Sequence, residues 1–287
     1  MLLLIAAAVA GRYEPEVSGR GSGWSYVGAA YSRFTTEFWT EGGEDRRFEL
    51  PASVSTWQLA ASGEYGLHSR LALTASVPLI WAKTEEKNES ICERWDMCDD
   101  LLGTGDLRLG LRSGWALGPL DLAAMAEVAS GIGYRHGIDD LAAPGDGNTD
   151  LIGGLNLGWR DERGDFAWTL AAGSRFEWGL GRPPSAFEAG GQASLRWRVV
   201  ELGGELQIYN SLGGLDFNSA TTVERLEDPD RFTVINNDYT SLAPRLSLYR
   251  DPWGVHLSTW RALRVESGPE DLQGIGLGVS WWGQRAG

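Results

Sequence analysis

Three histidines, two cysteines and a scatter of arginines and carboxylates are the groups in this 287-residue chain that could do chemistry. His256-Leu257-Ser258 places an imidazole and a hydroxyl two residues apart, on one face of an extended strand. Nucleophilic catalysis would need that Ser activated by the His, and the His oriented by an Asn or an acid. The segments expected to flank it, 239–249 and 272–282, contain no Asn, so no catalytic residue is assigned and the chain is read as a non-enzyme. Asp146, Asn148 and Asp150 have the spacing that opens a calcium loop, but the rest of such a loop and its closing Glu are missing. Asx-rich turn chemistry accounts for them better. Gly103-x-Gly105 begins a strand rather than a helix and carries no phosphate-binding meaning. Cys92 and Cys98 lie six apart in one expected loop, where an exported chain would close a small disulfide; two free thiols are the alternative. Zinc would need about four ligands, and no His lies near this pair. No metal and no cofactor are expected.

The remaining candidates are charges on alternating segments: Arg33, Glu64, Arg108, Arg112, Asp121, Glu127, Arg175, Glu177, Arg196, Glu205 and Arg245. Stepping outward from them, the chain from Trp24 to Trp282 divides into twelve short stretches of alternating hydrophobicity. They fall at about 24–39, 56–66, 71–81, 106–115, 120–131, 150–159, 166–178, 187–197, 201–209, 239–249, 255–265 and 272–282. In 107–111, for example, Leu107, Leu109 and Leu111 are separated by Arg108 and Gly110. A period of two sends successive side chains to opposite faces of a sheet. If the apolar face meets lipid, the polar face lines an interior, because a charge on the lipid face near the midplane costs about 2–4 kcal/mol. The eleven charges are therefore expected in a lumen, either as a neutralising ladder or as a narrow polar eyelet. Gly110, Gly114, Gly154, Gly158, Gly173, Gly274, Gly276 and Gly278 share the interior parity and are expected to leave room there. The segment 255–265 resists the scheme: Arg261 shares the parity of Val255, Leu257 and Leu263, which a bulge near Thr259 would reconcile.

The aromatics give a second test. Trp24, Tyr65, Trp115, Trp159, Phe166, Trp168, Trp197, Tyr249, Trp253, Trp281 and Trp282 map to one end of the segments. Trp39, Trp57, Trp81, Tyr134, Trp178, Phe187, Tyr209 and Tyr239 map to the other. Two such rings are what amphipathic side chains form at the two interfaces of a bilayer. Every second connection is short, and these all fall on one side, the arrangement of outer-membrane barrels with periplasmic turns and external loops.

Composition agrees. Mean hydropathy is −0.23, and no apolar run approaches the roughly 20 residues of a spanning helix. The chain has 39 Gly and 14 Trp, which suits turns and interfacial rings. A net charge of −14, concentrated in the expected loops, excludes a nucleic-acid partner. That acid is either a solvated rim or a mouth that enriches cations. Residues 1–10 read as a secretory signal whose basic start is cut short, with Ala8-Val9-Ala10 as the small-residue cleavage site; a short buried strand is the alternative. A periplasmic leader follows at 11–23, then a barrel domain at 24–287.

Several motifs also carry a family likeness. Gly23-Trp24-Ser25-Tyr26 with Tyr31-Ser32-Arg33-Phe34 is similar to the first strand of a bacterial outer-membrane family. So are Gly63-Glu64-Tyr65-Gly66-Leu67, Gly103-Thr104-Gly105-Asp106-Leu107-Arg108-Leu109-Gly110 and Asp146-Gly147-Asn148-Thr149-Asp150. The family is loosely named for the meta-pathway of phenol degradation and is labelled as transporters. The likeness spans most of the barrel and implies about twelve strands and passage of small, hydrophobic or aromatic solutes, with no functional residues to carry over. One departure is that Gly283-Gln284-Arg285-Ala286-Gly287 follows Trp282, where such barrels finish at an aromatic. His256-Leu257-Ser258 resembles the His-x-Ser of outer-membrane phospholipases, also twelve-stranded, but sits near the short-turn end, whereas those enzymes work at the outer leaflet.

The expected fold is all-β, a single transmembrane antiparallel up-and-down barrel in the bacterial outer membrane. The expected function is a passive channel for small solutes, with a non-conducting structural or adhesion barrel as the rival. Expected partners are outer-membrane lipid, the barrel-assembly machinery and a small-molecule solute, around a monomer.

Overall fold

The computed structural model describes residues 16–41, 44–86, 100–131, 149–179, 185–212 and 238–283. Thirteen strands fill these segments. The first three are β1 (Gly23–Glu41), β2 (Glu44–His68) and β3 (Leu71–Glu86). Next come β4 (Leu101–Thr104) and β5 (Asp106–Leu117), which form one stave beside β3, interrupted at Gly105. β6 (Leu120–Gly131), β7 (Thr149–Arg163), β8 (Phe166–Gly179) and β9 (Ser185–Trp197) follow. The last four are β10 (Val200–Leu212), β11 (Asp238–Arg250), β12 (Trp253–Pro269) and β13 (Gln273–Gly283). Each stave pairs antiparallel with its chain neighbours, and β13 returns to β1 from Gly23↔Gly283 to Arg33↔Gln273. The result is a closed barrel of twelve staves, as the alternation predicts.

Closure leaves no strand edge, so the ladder itself satisfies the backbone N–H and C=O groups, which hydrocarbon cannot do. Alternation then separates two surfaces. Outward Leu155, Leu170 and Leu277 are 56%, 57% and 57% exposed, a greasy belt that water would penalise along its whole length. The inward positions beside them, such as Ile152, Asn156 and Ala171, are buried. Five two-residue turns close one end, at Ser69-Arg70, Gly118-Pro119, Gly164-Asp165, Arg198-Val199 and Asp251-Pro252. Gly118 and Gly164 have φ of 68° and 61°, the left-handed values these tight turns require.

The structure departs from the sequence reading in three ways. Several strands run past the apolar alternation: β2 starts at Glu44 rather than 56, and β3 continues to Glu86 rather than 81. Outside the bilayer a ladder can continue on polar residues, where the hydrophobic period has nothing to report. Second, the register beside β3 shifts from Ser76↔Arg108 to Leu79↔Thr104, with Gly105 N bonding Pro78 O at 3.0 Å. Pro78 has no N–H to give a central ladder, and the irregularity lies beside it. Third, no bulge occurs near Thr259. β12 pairs with β13 regularly from Trp253↔Trp281 to Arg261↔Gln273, so Arg261 faces outward. The irregularity on β12 comes later, opposite Thr240 and Ser241.

A further bulge at Thr35 on β1 is held by the β12–β13 turn. Asp271 accepts from Thr35 N at 2.7 Å, Thr36 N at 2.9 Å and Thr35 Oγ1 at 2.5 Å. Burial alone would raise the pKa of this carboxyl, but the Thr35 and Thr36 hydrogen bonds outweigh it and hold the pKa below the ordinary carboxylate value. A depressed folded-state pKa gives stability that is full above the unfolded value and is lost as pH falls through the folded one. Asp271→Ala is expected to lower the thermal midpoint at pH 7. The gap between the two proteins should close as pH drops below the ordinary carboxylate range. Heat-modified gel mobility across that series checks it.

Candidate functional site

The inner wall is built by the same parity. Glu64 on β2, Arg108 and Arg112 on β5, Asp121 and Glu127 on β6, and Arg175 and Glu177 on β8 all occupy inward positions. Arg196 on β9, Glu205 on β10 and Arg245 on β11 do likewise. Arg33 does not. It shares the parity of the exposed Val27 and Ala29, its side chain is 48% exposed, and it pairs with Glu85 at 3.8 Å. Its expected place in the lumen is therefore corrected: β1 reaches the edge of the lipid band before Arg33, where an outward charge is tolerated.

Sequence reasoning missed other lumen charges. Asp106, Asp150 and Glu188 are buried at inward positions, and Arg160 and Glu201 are inward near the short turns. Asp106, Asp150, Glu188 and Glu201 fall inside the expected segments, at or next to their ends, and Arg160 lies one residue beyond; following the inward parity out to those ends finds all five. With Arg33 removed and these added, acids outnumber arginines on the described inner wall.

At the short-turn mouth the charges become a network. Arg112 Nη1 meets Glu64 Oε2 at 2.6 Å, with the Glu64 side chain fully buried. The segment Glu16–Ser22, the described part of the expected leader, crosses this mouth. Ser18 N donates to Glu64 Oε1 at 2.6 Å, Gly21 N donates to Gly66 O at 2.9 Å, and Gly66 N donates to Ser22 O at 2.9 Å. Glu16 reaches Arg160 on the far side at 3.5 Å. A Cβ on Gly66 would lie 1.9 Å from Gly19 O, so glycine there lets the leader lie against the wall.

Above the leader is a cavity of about 560 Å³. One side presents Trp24, Tyr249 and Trp282; the other presents Asp121, Arg160, Thr169 and Arg196. Glu201 on β10 stands between them and accepts from β11, from Arg245 at 3.2 Å and from the Tyr249 hydroxyl at 3.3 Å. Arg196 lies over the Tyr249 ring, 5.9 Å from its centroid.

Not all interior glycines leave room. Tyr26 lies across Gly278, where a Cβ would come 2.0 Å from its hydroxyl, and Trp260 lies across Gly274 in the same way. These glycines are flat beds for aromatics, which fill that side of the lumen. Trp24, Tyr209, Tyr239, Tyr249 and Trp282 also hold inward positions, so the two outward rings are thinner than expected. Outward rings remain, with Trp115, Trp159, Trp168 and Trp253 at the short turns and Trp57, Trp81 and Trp178 at the other end. Trp39 and Tyr134 carry no described side chain.

His256 uses both ring nitrogens on serines other than Ser258: Nδ1 with Ser247 Oγ at 2.9 Å and Nε2 with Ser280 Oγ at 2.6 Å. The geometry does not bring Ser258 to the imidazole. Cys92, Cys98, Asp146 and Asn148 lie outside the described residues, while Asp150 ends up on the inner wall. Among the described residues no cluster of three or more metal-ligating groups occurs.

A closed twelve-stave barrel with an exposed greasy belt and a charged bore defines the outer-membrane barrel class. An outer membrane channel from Pseudomonas putida F1 is similar in fold, with a TM-score of 0.65 over 95% of this chain and 98% of that one, at 15% identity. A KdgM porin matches more loosely, at 0.46 over 88% of this chain and 98% of that one, with 8% identity. The toluene transporter TodX of Pseudomonas putida matches at 0.41 over 92% and 90%, with 10% identity. No family model matches the sequence, and the search of curated proteins found no match. The phenol-degradation likeness thus stays a likeness of motifs.

Arg112→Ala would leave the Glu64 carboxylate buried beside only the leader amide. Breaking such a pair costs about 3 kcal/mol. Urea unfolding should show that loss, and Arg112→Ala combined with Glu64→Ala should lose less than the sum of the two single variants.

Proposed function

We propose that the protein is a passive outer-membrane channel whose short-turn mouth is narrowed by its own leader. The observation that carries this reading is the cavity at the short-turn mouth, lined by Glu16–Ser22 on one side and by charged and aromatic wall residues on the other. Its two-sided lining supports solutes with an aromatic or apolar face and a polar edge. Such a solute stacks on Tyr249 or Trp282 while its polar edge meets Arg196 or Thr169. The excess of acids along the bore supports a preference for cations over anions.

The rival reading, a non-conducting structural barrel, is favoured by one feature: the leader is bonded to both sides of the mouth. Conductance in planar bilayers separates the two. The channel reading expects small single-channel steps in the intact protein, with a reversal potential on the cation side. Removing the residues up to Ser22 should enlarge the steps severalfold, because the Arg160 and Glu64 sides of the mouth are then unbridged. Silence at every voltage from both proteins would contradict the channel reading and support the structural one.

A further inference from the structure

The two outward arginines that fit no lumen scheme lie on the same rung of the wall. Across the antiparallel ladder Arg261 on β12 is opposite Gln273 on β13, which is opposite Arg33 on β1. Arg33 is opposite Ser55 on β2, and Ser55 is opposite Lys83 on β3. Five adjacent strands therefore present polar residues at outward positions on one rung, three of them cationic. The neighbouring positions add Glu85, which binds Arg33, and Asp271, which binds Thr35, so three cations face two acids and the patch remains basic. This is notable in a chain of net charge −14.

The rung climbs obliquely through the outer edge of the lipid band, because a row of antiparallel partners runs perpendicular to strands that are themselves tilted. Immediately below it on the outward face are Ile275, Tyr31, Trp57 and Trp81, with Tyr31 and Trp57 rings 4.9 Å apart. From Trp253 at the short turns to Arg261 is eight residues, a rise of roughly 20 Å for strands tilted about 40°, against a band about 25 Å tall. Arg261 therefore lies just inside the outer boundary, close enough for a long side chain to reach the headgroups. Among the described residues of β5 to β10 no cation holds an outward position near this end, where Trp178 on β8 and Phe187 on β9 stand exposed. The basic rung is a local feature of β12, β13 and β1 to β3.

We propose that this rung is a docking site for the phosphate groups of lipopolysaccharide in the outer leaflet. Arg261 and Arg33 are two strands apart, about 10 Å, with the Gln273 amide between them. Arg33 Nη2 meets Ser53 Oγ at 3.3 Å and Glu85 at 3.8 Å, so it must exchange those partners for both guanidinium forks to converge on one phosphate above Gln273, the geometry in which Arg outperforms Lys. Lys83 supplies a further point charge beyond Ser55. The acyl chains of the same lipid then lie along Ile275, Leu277, Val279 and the neighbouring belt, continuous with the lipid surface the barrel already uses. The site commits to a lipid phosphate because all the cations face hydrocarbon and headgroups, away from the lumen.

The test compares the full-length protein with the triple variant Arg33→Gln, Arg261→Gln, Lys83→Gln. Each is refolded, its folding is confirmed by heat-modified mobility, and it is titrated with lipid A in native mass spectrometry. The intact barrel should hold lipid A at least about tenfold more tightly than the variant, as removal of three surface cations beside an anionic headgroup implies. Enzymatically dephosphorylated lipid A should bind both proteins alike. Equal binding of lipid A to both would overturn the proposal. So would equal binding of phosphorylated and dephosphorylated lipid A to the intact protein. Phosphatidylglycerol that displaces lipid A at matched phosphate would overturn the assignment to lipopolysaccharide by showing generic charge attraction.

Discussion

Hydrocarbon offers no hydrogen-bond partners, and this one constraint organises the molecule. An open sheet edge in lipid would strand a row of N–H and C=O groups at several kcal/mol each, so the sheet must close. The seam between β1 and β13 meets that requirement with an unbroken register from Gly23↔Gly283 to Arg33↔Gln273. Once the sheet is closed, the side-chain period of two leaves each residue only two destinations. Leucines at one parity meet lipid, and arginines and carboxylates at the other meet the bore.

The bore reflects a second balance, between filling and emptiness. Twelve staves enclose more space than eight, which side chains alone can fill, and less than the open porins of sixteen. Here the space is shared. Tyr26 and Trp260 lie flat on glycines and pack one side, while paired charges such as Glu64–Arg112 brace the other. The leader occupies part of what remains, held by the same Glu64 that Arg112 neutralises. A fully buried carboxylate with a cation and a backbone donor is a satisfied group, and this lets it serve as the anchor of a peptide crossing the mouth.

Most of the fold was legible in the sequence because lipid exposure enforces alternation so strictly. Leu107-Arg108-Leu109-Gly110-Leu111 needs no tertiary context to be read as a wall segment. The alternation falls silent wherever the chain leaves the bilayer, which is why β2 and β3 are taller than expected and β4 falls between the expected segments. The rule that charges must face inward holds only between the interfaces, and Arg33 and Arg261 sit at its limit. Aromatics near strand ends carry the same ambiguity. Trp253 and Trp282 both border the cavity near the short turns, yet parity turns the Trp253 ring toward lipid and the Trp282 ring inward. The path of the leader had no periodic signal at all, since its placement rests on single hydrogen bonds to Glu64, Gly66 and Arg160.

The central claim is that the leucine parity touches acyl chains and the charged parity does not. Single cysteines at Leu155, Leu170 and Leu277, and at Glu127 and Gln192, can carry an environment-sensitive fluorophore in a background where Cys92 and Cys98 are serine. In vesicles of lipids brominated on the acyl chain, the first three labels should be strongly quenched and the last two scarcely at all. Quenching of the labels at 127 and 192, with those at 155, 170 and 277 spared, would contradict the account.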